Sequence, residues 1–338
     1  MASQHSLHPS ALPEPAEYHN VTPDVFVREI EPAYKPAVLK GYAQHWPVVA
    51  EAKQSALMVA DYLKNENSQQ GVKHITLPEH GRMFYSDDMR GMNFSVDNTD
   101  ISTAISAMLS PDQTRPSCIQ STDVKTHFPA LLKSIDNPLV PQIPPHIWIG
   151  NALRVAPHFD EAHNIAVVVA GRRRFTLFPP GQIENLYVGQ LEYTPAGQPI
   201  SLVDINEPDL ARFPRYEEAF RHGLSAELEP GDAIYIPTPW WHAVESLSPF
   251  NVLVNYWWSN RYLSSMLPFP MLMHTLQSLN SMPDSERDAW VAMLSYYMNN
   301  NSNNDTKFAH IPKASRGILD DPGQTTHRLI HRWLGSQL

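Results

Sequence analysis

The chain has 338 residues, of which 42% are apolar, and a formal net charge of -10 at pH 7. This length suffices for one large domain or two ordinary ones, and the acidic balance argues against a nucleic-acid partner, because a phosphate-binding surface needs clustered lysine and arginine. Cys118 is the single cysteine, which excludes intramolecular disulfides and zinc sites built from cysteines.

The first segment, residues 1–20, is rich in proline, serine and histidine, and we expect a loose leader there. It lacks the basic start and apolar stretch of a secretory signal. The apolar run at 165–170 is too short to span a bilayer. The sequence therefore indicates a cytoplasmic protein without a membrane partner.

The next region, up to about residue 116, mixes helix and strand signals. Thr22 followed by Pro23 predicts a helix start, with Thr22 as the N-cap. Hydrophobic periodicity predicts the other elements. They are a strand at 36–42, a helix at 55–66, strands at 72–77 and 83–85, and a helix at 100–109.

From about residue 117 to 259, short apolar runs rich in β-branched and aromatic residues lie between prolines, glycines and asparagines. The runs are HIWIG, NIAVVVAG, RRFTLFPP, DAIYIP and FNVLVNYWW. Many short strands between turn residues predict an antiparallel sandwich or barrel. After Arg261 the apolar residues recur at helical spacing. We predict a mainly β core with helices before and after it.

One histidine pattern stands out for metal binding. Of the 16 histidines, His158 alone is followed two positions later by a carboxylate, that of Asp160. Residues two apart in a strand point to the same face. Two histidines and a carboxylate on one face of a metal leave room for a cosubstrate and O2, as iron(II) oxygenases require. By itself the pattern is weak evidence, because one chance match is expected among 16 histidines.

A third ligand has to come from elsewhere in the chain. His242 lies in the text PGDAIYIPTPWWHAVES, after a strand that is broken by two prolines. In a jelly roll, an early strand pair and a late strand face each other across the barrel, so His242 can meet His158. The alternative for His242 is an ordinary core histidine.

Four motifs occur in a characteristic order: HFDEAHN, GRRRFTLFPP, PGDAIYIPTPWWHAVES and VNYWW. In this order they resemble the JmjC-like cupins, and most of all the group with the asparaginyl hydroxylase that inhibits hypoxia-inducible factor and its bacterial relatives. The upstream text PAYKPAVLKGYAQHWP is also similar, so the resemblance covers roughly residues 25–260. It implies a double-stranded β-helix, with a cupin domain at 21–260, its core at about 117–260, and a helical region at 261–338 that packs on the core or forms a dimer interface.

The resemblance also implies functional residues. Three of them match the ligands of an iron(II) ion: His158, Asp160 and His242. The iron would bind 2-oxoglutarate as cosubstrate, together with O2. Arg173 matches the cation that pairs with the far carboxylate of 2-oxoglutarate, a role that suits a planar guanidinium. Asn164 and Asn255 match residues that donate hydrogen bonds to the cosubstrate, although a structural asparagine would fit the sequence too.

The chain departs from the family pattern at two positions. Val155 and Cys118 stand where the relatives have hydroxyl-bearing residues, so the 2-oxoglutarate pocket must be completed otherwise. Gln120 falls where a relative contacts its substrate, and we assign Trp257 to the pocket wall on the substrate side. A buried structural role is the alternative for both.

Several functions are compatible with these residues. The first is hydroxylation of a protein or peptide side chain; the second is oxidation of a small metabolite or of an RNA nucleoside. A third is a non-catalytic metal-binding cupin module, favoured by the two missing hydroxyls and opposed by the retained ligands and Arg173. The resemblance further implies a homodimer through C-terminal helices, whose apolar residues include Leu329, Ile330, Trp333 and Leu334.

Overall fold

The computed structural model describes residues 7–195, 197–259, 268–298, 307–319 and 323–335. The chain divides into two compact units, Met1–Trp258 and Ser259–Leu338. Among the described residues, no helix is both long and apolar enough to cross a membrane.

The first unit is built mainly from short strands. They are β1 (Ala16–His19), β2 (Ala37–Lys40), β3 (Gly71–Thr76), β4 (Arg82–Met83), β5 (Ser95–Asp100), β6 (Ser117–Asp123), β7 (Pro145–Gly150), β8 (Arg154–His158), β9 (His163–Ala170), β10 (Arg173–Phe178), β11 (Leu224–Leu228), β12 (Ala233–Ile236), β13 (Trp241–Ser246) and β14 (Asn251–Trp258). They form a nine-stranded sheet in the order β1-β2-β12-β9-β14-β7-β6-β3-β5 and a five-stranded sheet in the order β11-β10-β13-β8-β4.

An apolar layer holds the two sheets together. The large sheet contributes Ala166, Ile234 and Leu253, and the small sheet contributes Phe175 and Val244. From β7 to β14, consecutive strands alternate between the two sheets except β10 and β11, which pair within the small sheet, as in a jelly roll. The prediction of a mainly β jelly roll of the cupin type is therefore confirmed.

The helices between residues 23 and 127 cover the outer face of the large sheet, whereas the helix Tyr216–Arg221 and the 3-10 turn Pro180–Leu186 pack with Trp241 and Ala243 of the small sheet. Those of the first unit are α1 (Pro23–Val25), α2 (Glu31–Ala33), α3 (Pro47–Gln54), α4 (Ala56–Glu66), α5 (Ile101–Met108), α6 (Val124–His127) and α7 (Tyr216–Arg221), with a π-helical turn at Phe26–Ile30 and 3-10 turns at Pro9–Ala11, Leu131–Lys133 and Pro180–Leu186. The first helix begins as predicted, because the Thr22 hydroxyl accepts a hydrogen bond from the Val25 amide and Pro23 is the first helical residue. Apolar side chains of α3, α4 and α5 pack with Val167 and Val254 of the sheet.

Two elements differ from the sequence-based expectation. In the stretch expected to be a loose leader, β1 pairs in parallel with β2, and Leu12 is buried; residues 1–6 lie outside the described part. The polar segment SVDNTD forms β5, an edge strand paired with β3. Neither segment shows apolar alternation, because one is very short and the other exposes most of its residues.

The second unit is helical where it is described. Its helices are α8 (Pro268–Leu279), α9 (Asp284–Met298) and α10 (Gly323–Gly335), with 3-10 turns at Lys313–Ser315 and Gly317–Leu319. Leu329 and Trp333 of α10 are exposed, while Ile330 and Leu334 are half-buried. The homodimer expected through these helices stays a prediction.

Candidate metal centre

The three expected metal ligands come together at the edge of the small sheet. His158 ends β8, and its register partner on β13 is His242, so their ring centroids lie 4.3 Å apart. Asp160 follows in the turn after β8, with its Oδ2 at 3.6 Å from His242 Nε2. One ligand atom from each of the three residues lies within 4.8 Å of the others. We call these residues the metal triad.

One local expectation about the triad was wrong. We expected His158 and Asp160 to share one face of a continuous strand, but β8 ends at His158. Asp160 reaches the same point from the following turn, which the Thr238 hydroxyl fixes by donating to the Asp160 carbonyl at 2.6 Å. The turn after β8, and not strand alternation, therefore places Asp160 beside His158.

Backbone contacts orient both histidine rings. His158 Nδ1 lies 2.9 Å from the Ala156 carbonyl, and His242 Nδ1 lies 3.2 Å from the Trp240 carbonyl. A carbonyl can only accept, so each Nδ1 carries the proton and each Nε2 keeps a lone pair. Burial, followed by the neighbouring His158 ring, lowers the pKa of His242 below its usual range. The lowered pKa favours a neutral, metal-binding imidazole at His242.

The Asp160 carboxylate is held by two further side chains. Trp257 Nε1 donates to Asp160 Oδ2 at 2.9 Å, and Asn164 Nδ2 donates to the same oxygen at 3.2 Å. Asn255 Nδ2 in turn donates to Asn164 Oδ1 at 2.9 Å. Residues assigned from the sequence to the cosubstrate and the substrate therefore also position a metal ligand.

The triad opens onto a cavity of about 510 Å³ between the two sheets, within the range usual for ligand pockets. The expected site residues all contribute to its lining: His158, Asp160, His242, Arg173, Asn164, Asn255, Gln120 and Trp257. Val155 and Cys118, the positions without the family's hydroxyls, line it as well. The fold thus gathers residues that are far apart in the sequence.

Arg173 brings a buried positive charge to this cavity. Its side chain is 6% exposed, and its Nε has no hydrogen-bond partner among the described residues. Burial lowers the pKa of Arg173 to about 10. Arg174 points to the other face, where it pairs with Glu227 and Glu245, because successive residues of a strand point to opposite faces.

Some lining residues were not expected. Trp148 reads from the sequence as structural, yet it lines the cavity, and its Nε1 is buried without a partner in the described part of the chain. Its alternation in β7 with Ile147 and Ile149, which face the outer helices, is a signal that could have found it. Lys73 of β3 also lines the cavity, and nothing in its local sequence predicts this.

The long connection between β10 and β11 forms part of the rim. Pro195, Gly197 and Gln198 line the cavity. The connection is tied to the strand that carries His158, because the Ser201 amide donates to the Pro157 carbonyl at 2.8 Å. Farther out, the Tyr85 hydroxyl donates to the Tyr193 carbonyl at 2.9 Å.

His163 lies inside the first motif but outside the metal triad. Its Nδ1 is 3.0 Å from the Tyr235 hydroxyl, and its ring stacks on Trp258. It is buried on the side of the large sheet that faces the helices, as the alternation of β9 predicts.

Comparison with known proteins agrees with this architecture. The family model described as a cupin-like domain matches residues 23–264. A 122-residue stretch is 35% identical to the lysine-specific demethylase JMJ31 of Arabidopsis thaliana, covering 36% of this chain and 22% of that protein. A 113-residue stretch is 38% identical to HSPB1-associated protein 1 of Rattus norvegicus, covering 33% of this chain and 23% of that protein.

A third relative is similar over a longer stretch. The tRNA wybutosine-synthesizing protein 5 of Gallus gallus is 24% identical over 272 residues, which are 71% of this chain and 75% of that protein. The two more identical relatives, by contrast, are matched over less than a quarter of their own lengths.

Proposed function

This chain belongs to the cupin-like domain family, and we propose on that premise that it is an iron(II)- and 2-oxoglutarate-dependent oxygenase that hydroxylates a protein or peptide side chain. The observation that carries the proposal is the convergence of two imidazoles and one carboxylate on the cavity that Arg173 also lines. A site with two histidines and one carboxylate leaves coordination positions open for other molecules.

The residues present fit iron(II). Both histidines offer Nε2 lone pairs, and Asp160 offers an anionic oxygen already positioned by Trp257 and Asn164. With Cys118 as the only cysteine of the chain, no set of thiolates favours a structural zinc ion. Iron(II), when bound with 2-oxoglutarate and O2, supplies the oxidation that couples decarboxylation of the cosubstrate to hydroxylation of a C–H bond.

The protein's own part is to bind, orient and exclude water. Arg173 offers a guanidinium with an unpartnered Nε to the far carboxylate of 2-oxoglutarate, and that anion would compensate a buried charge. Asn255 keeps a free acceptor, since its Oδ1 has no partner among the described residues. This oxygen can accept from a substrate N–H or from an ordered water at the same cavity.

The substrate assignment rests on the rim and on relatives. Gln120 and Trp257 line the cavity on the side of the large sheet, and Pro195 and Gln198 line it from the long connection. One relative is named for its association with HSPB1 and another is named a lysine-specific demethylase, so one name refers to HSPB1 and the other to an amino acid. We therefore propose an extended peptide segment as the substrate.

A second candidate substrate is an RNA nucleoside or a small metabolite. The relative named tRNA wybutosine-synthesizing protein 5 matches 71% of this chain, which favours it. The net charge of -10 opposes it, because RNA binding needs a positive surface.

The test is succinate release from 2-oxoglutarate by anaerobically iron-loaded protein after O2 is admitted. Peptide pools, including peptides with methylated lysine, and unmodified tRNA are added in separate reactions. We expect one peptide pool to stimulate turnover and His158→Ala and Arg173→Ala to abolish it. Arg172→Ala is the matched control, because Arg172 is the exposed neighbour of Arg173.

Other outcomes separate the alternatives. Stimulation by tRNA alone would replace the peptide substrate with the nucleoside. A wild-type protein that binds Mn(II) but neither binds 2-oxoglutarate in calorimetry nor turns it over would overturn the oxygenase and leave a non-catalytic metal-binding cupin.

A further inference from the structure

Arg173 has a direct cross-strand neighbour. In the antiparallel pairing of β10 with β13, the register partners are Arg173 and Ser246, Phe175 and Val244, and Leu177 and His242. Directly paired residues place their side chains side by side on one face of a sheet. His242 and Val244 line the cavity, so Ser246 lies on the same inward face of β13, beside the guanidinium of Arg173.

The Ser246 hydroxyl is buried without a partner. The side chain is 3% exposed, and its Oγ has no hydrogen bond among the described residues. The backbone at this position is fixed, because the Ser246 amide donates to the Leu153 carbonyl at 2.8 Å. For comparison, the equally buried Ser201 hydroxyl donates to the Leu186 carbonyl. A buried polar group without a partner destabilises a fold. A ligand that accepts a hydrogen bond from the Ser246 hydroxyl would remove this cost.

Arg173 and Ser246 both lack a hydrogen-bond acceptor within the described part of the chain. Arg173 Nε and Ser246 Oγ are both buried polar atoms that lack a partner among the described residues. The nearby Cys118 thiol is protonated, since burial raises its pKa to about 12, and it brings no negative charge. We call this guanidinium, hydroxyl and neutral thiol the Arg173 group. Arg173 and Cys118 line the cavity, Ser246 is the register partner of Arg173, and none of the three brings a negative charge.

We propose that Ser246 is a positioning residue of the cosubstrate site, whose hydroxyl donates a hydrogen bond to the carboxylate that Arg173 binds. This inference rests on the proposed function. It accounts for the two positions at which the cavity lacks the family's hydroxyls, Val155 and Cys118. Val155 is the register partner of Val244 on the neighbouring strand, so the hydroxyl is supplied from the next strand of the same sheet instead.

The geometry fits one carboxylate at this place. A guanidinium can give two parallel hydrogen bonds to a carboxylate, and each carboxylate oxygen has a second lone pair to accept from a hydroxyl. Such a site distinguishes a dicarboxylate from a 2-oxo acid that has no far carboxylate. Ser246 would therefore contribute to the choice of cosubstrate and not to the chemical step.

The test compares Ser246→Ala with the wild type in calorimetric titrations of Mn(II)-loaded protein. Two probes are used: 2-oxoglutarate, which has a far carboxylate, and 2-oxobutyrate, which has none. We expect Ser246→Ala to bind 2-oxoglutarate roughly tenfold more weakly, because it loses a hydrogen bond to a charged group, and to bind 2-oxobutyrate like the wild type. Steady-state turnover should show a raised KM for 2-oxoglutarate with an unchanged kcat.

Ser225→Ala is the matched control. Ser225 lies in the same small sheet and is 7% exposed, but it pairs with Thr176, which alternates with Arg173 and Phe175 and so belongs to the opposite face. Ser246→Thr keeps the hydroxyl and should restore most of the affinity. If Ser246→Ala is not folded by circular dichroism, Ser246→Cys, with a weaker donor, takes its place in the same comparison.

The results separate this inference from the proposed function. Equal 2-oxoglutarate affinities for Ser246→Ala and Ser225→Ala would overturn the role of Ser246 and leave the oxygenase intact. Equal losses for 2-oxoglutarate and 2-oxobutyrate would overturn it too, because they would show a general distortion of the cavity. A wild-type protein that does not bind 2-oxoglutarate would overturn the proposed function itself.

Discussion

The metal triad lines the same cavity as Arg173 and Cys118, yet the polar atoms of the triad have hydrogen-bond partners within the protein, whereas two polar atoms of the Arg173 group have none among the described residues. At the triad, both Nδ1 atoms contact carbonyls and Asp160 Oδ2 accepts from two side chains. In the Arg173 group, a charged nitrogen and a hydroxyl have no partner among the described residues. A metal ion needs its ligands oriented in advance, whereas a charged organic ligand can itself complete an unpaired cluster. The protein itself orients the triad, whereas the polar atoms of the Arg173 group would find their partners in a bound ligand.

Removing a triad ligand should have the largest effect. Asp160→Ala takes away the one negative charge of the triad, so we expect Mn(II) affinity to fall by more than about a hundredfold and succinate release to disappear. Calorimetric Mn(II) titration measures the first and a coupled succinate assay the second. Glu192→Ala removes an exposed carboxylate and should bind Mn(II) normally. Wild-type Mn(II) affinity in Asp160→Ala would show that the triad is not the metal site.

Removing the Arg173 charge should weaken 2-oxoglutarate binding but raise the free energy of unfolding. Arg173→Met replaces the guanidinium with an unbranched apolar side chain, and we expect roughly hundredfold weaker 2-oxoglutarate binding from the loss of a charge-assisted pair. The same variant should be more stable than the ligand-free wild type by about 1–4 kcal/mol, because an uncompensated buried charge is replaced by an apolar group. Urea unfolding with and without 2-oxoglutarate measures both. A destabilised variant would show that Arg173 is paired within the protein.

The pH dependence of that gain is fixed by the direction of the pKa shift. Burial lowers the pKa of folded Arg173 to about 10, below its value in the unfolded chain, so folding disfavours the charged form. The cost is fully present below the folded pKa and disappears only as the pH rises through it. The stability difference between Arg173→Met and the wild type should therefore stay constant from about pH 6 to about pH 9. A difference that changes within this interval would assign the effect to another group.

Weakening the support of the triad should have a smaller effect. Trp257→Phe removes the indole N–H that donates to Asp160 Oδ2 and keeps an aromatic ring in the cavity wall. Loss of such a supporting hydrogen bond lowers metal affinity by about ten- to a hundredfold, and calorimetry with Mn(II) measures it. Trp290→Phe, at an exposed position of the second unit, is the control. Unchanged Mn(II) affinity in Trp257→Phe would make Trp257 a substrate contact only.

The smallest effect on metal affinity is expected at Asn255, which does not contact Asp160 directly. Asn255 reaches Asp160 only through Asn164, so Asn255→Ala should weaken Mn(II) binding by no more than about tenfold, the lower limit for a direct supporting contact. Binding of Mn(II) that falls more in Asn255→Ala than in Trp257→Phe would reverse this order. It would mean that the two asparagines, and not the indole, hold the carboxylate.

Much of the fold and of the triad could be predicted from the sequence. His158-x-Asp160 is a local pattern, and the strands are predicted from short apolar runs that are also local. The inward direction of Arg173 also follows from alternation with Phe175, since a strand's period does not depend on its partners. These features depend on near neighbours in the chain.

The missed features depend on pairing between distant segments. Ser246 beside Arg173 requires the register of β10 against β13, and no local pattern in the sequence specifies a register. Lys73 lines the cavity because β3 lies in the same sheet as β6 and β7. The turn that brings Asp160 to the triad depends on Thr238, 78 positions away along the chain. Sequence patterns predict the elements, whereas contacts between elements complete the site.

The hydrogen bond from the Ser201 amide to the Pro157 carbonyl has an evolutionary consequence. It fixes Ser201 of the long β10–β11 connection to β8, the strand that carries His158, and we call this hydrogen bond the clamp. Residues before the clamp, including Pro195, Gly197 and Gln198, form part of the cavity rim. Insertions and exchanges in this stretch can therefore alter what is recognised without displacing the histidine. Substrate range and oxidative chemistry can diverge separately in descendants of this chain, and a graft of the rim segment that ends just before the clamp offers a route to new specificities.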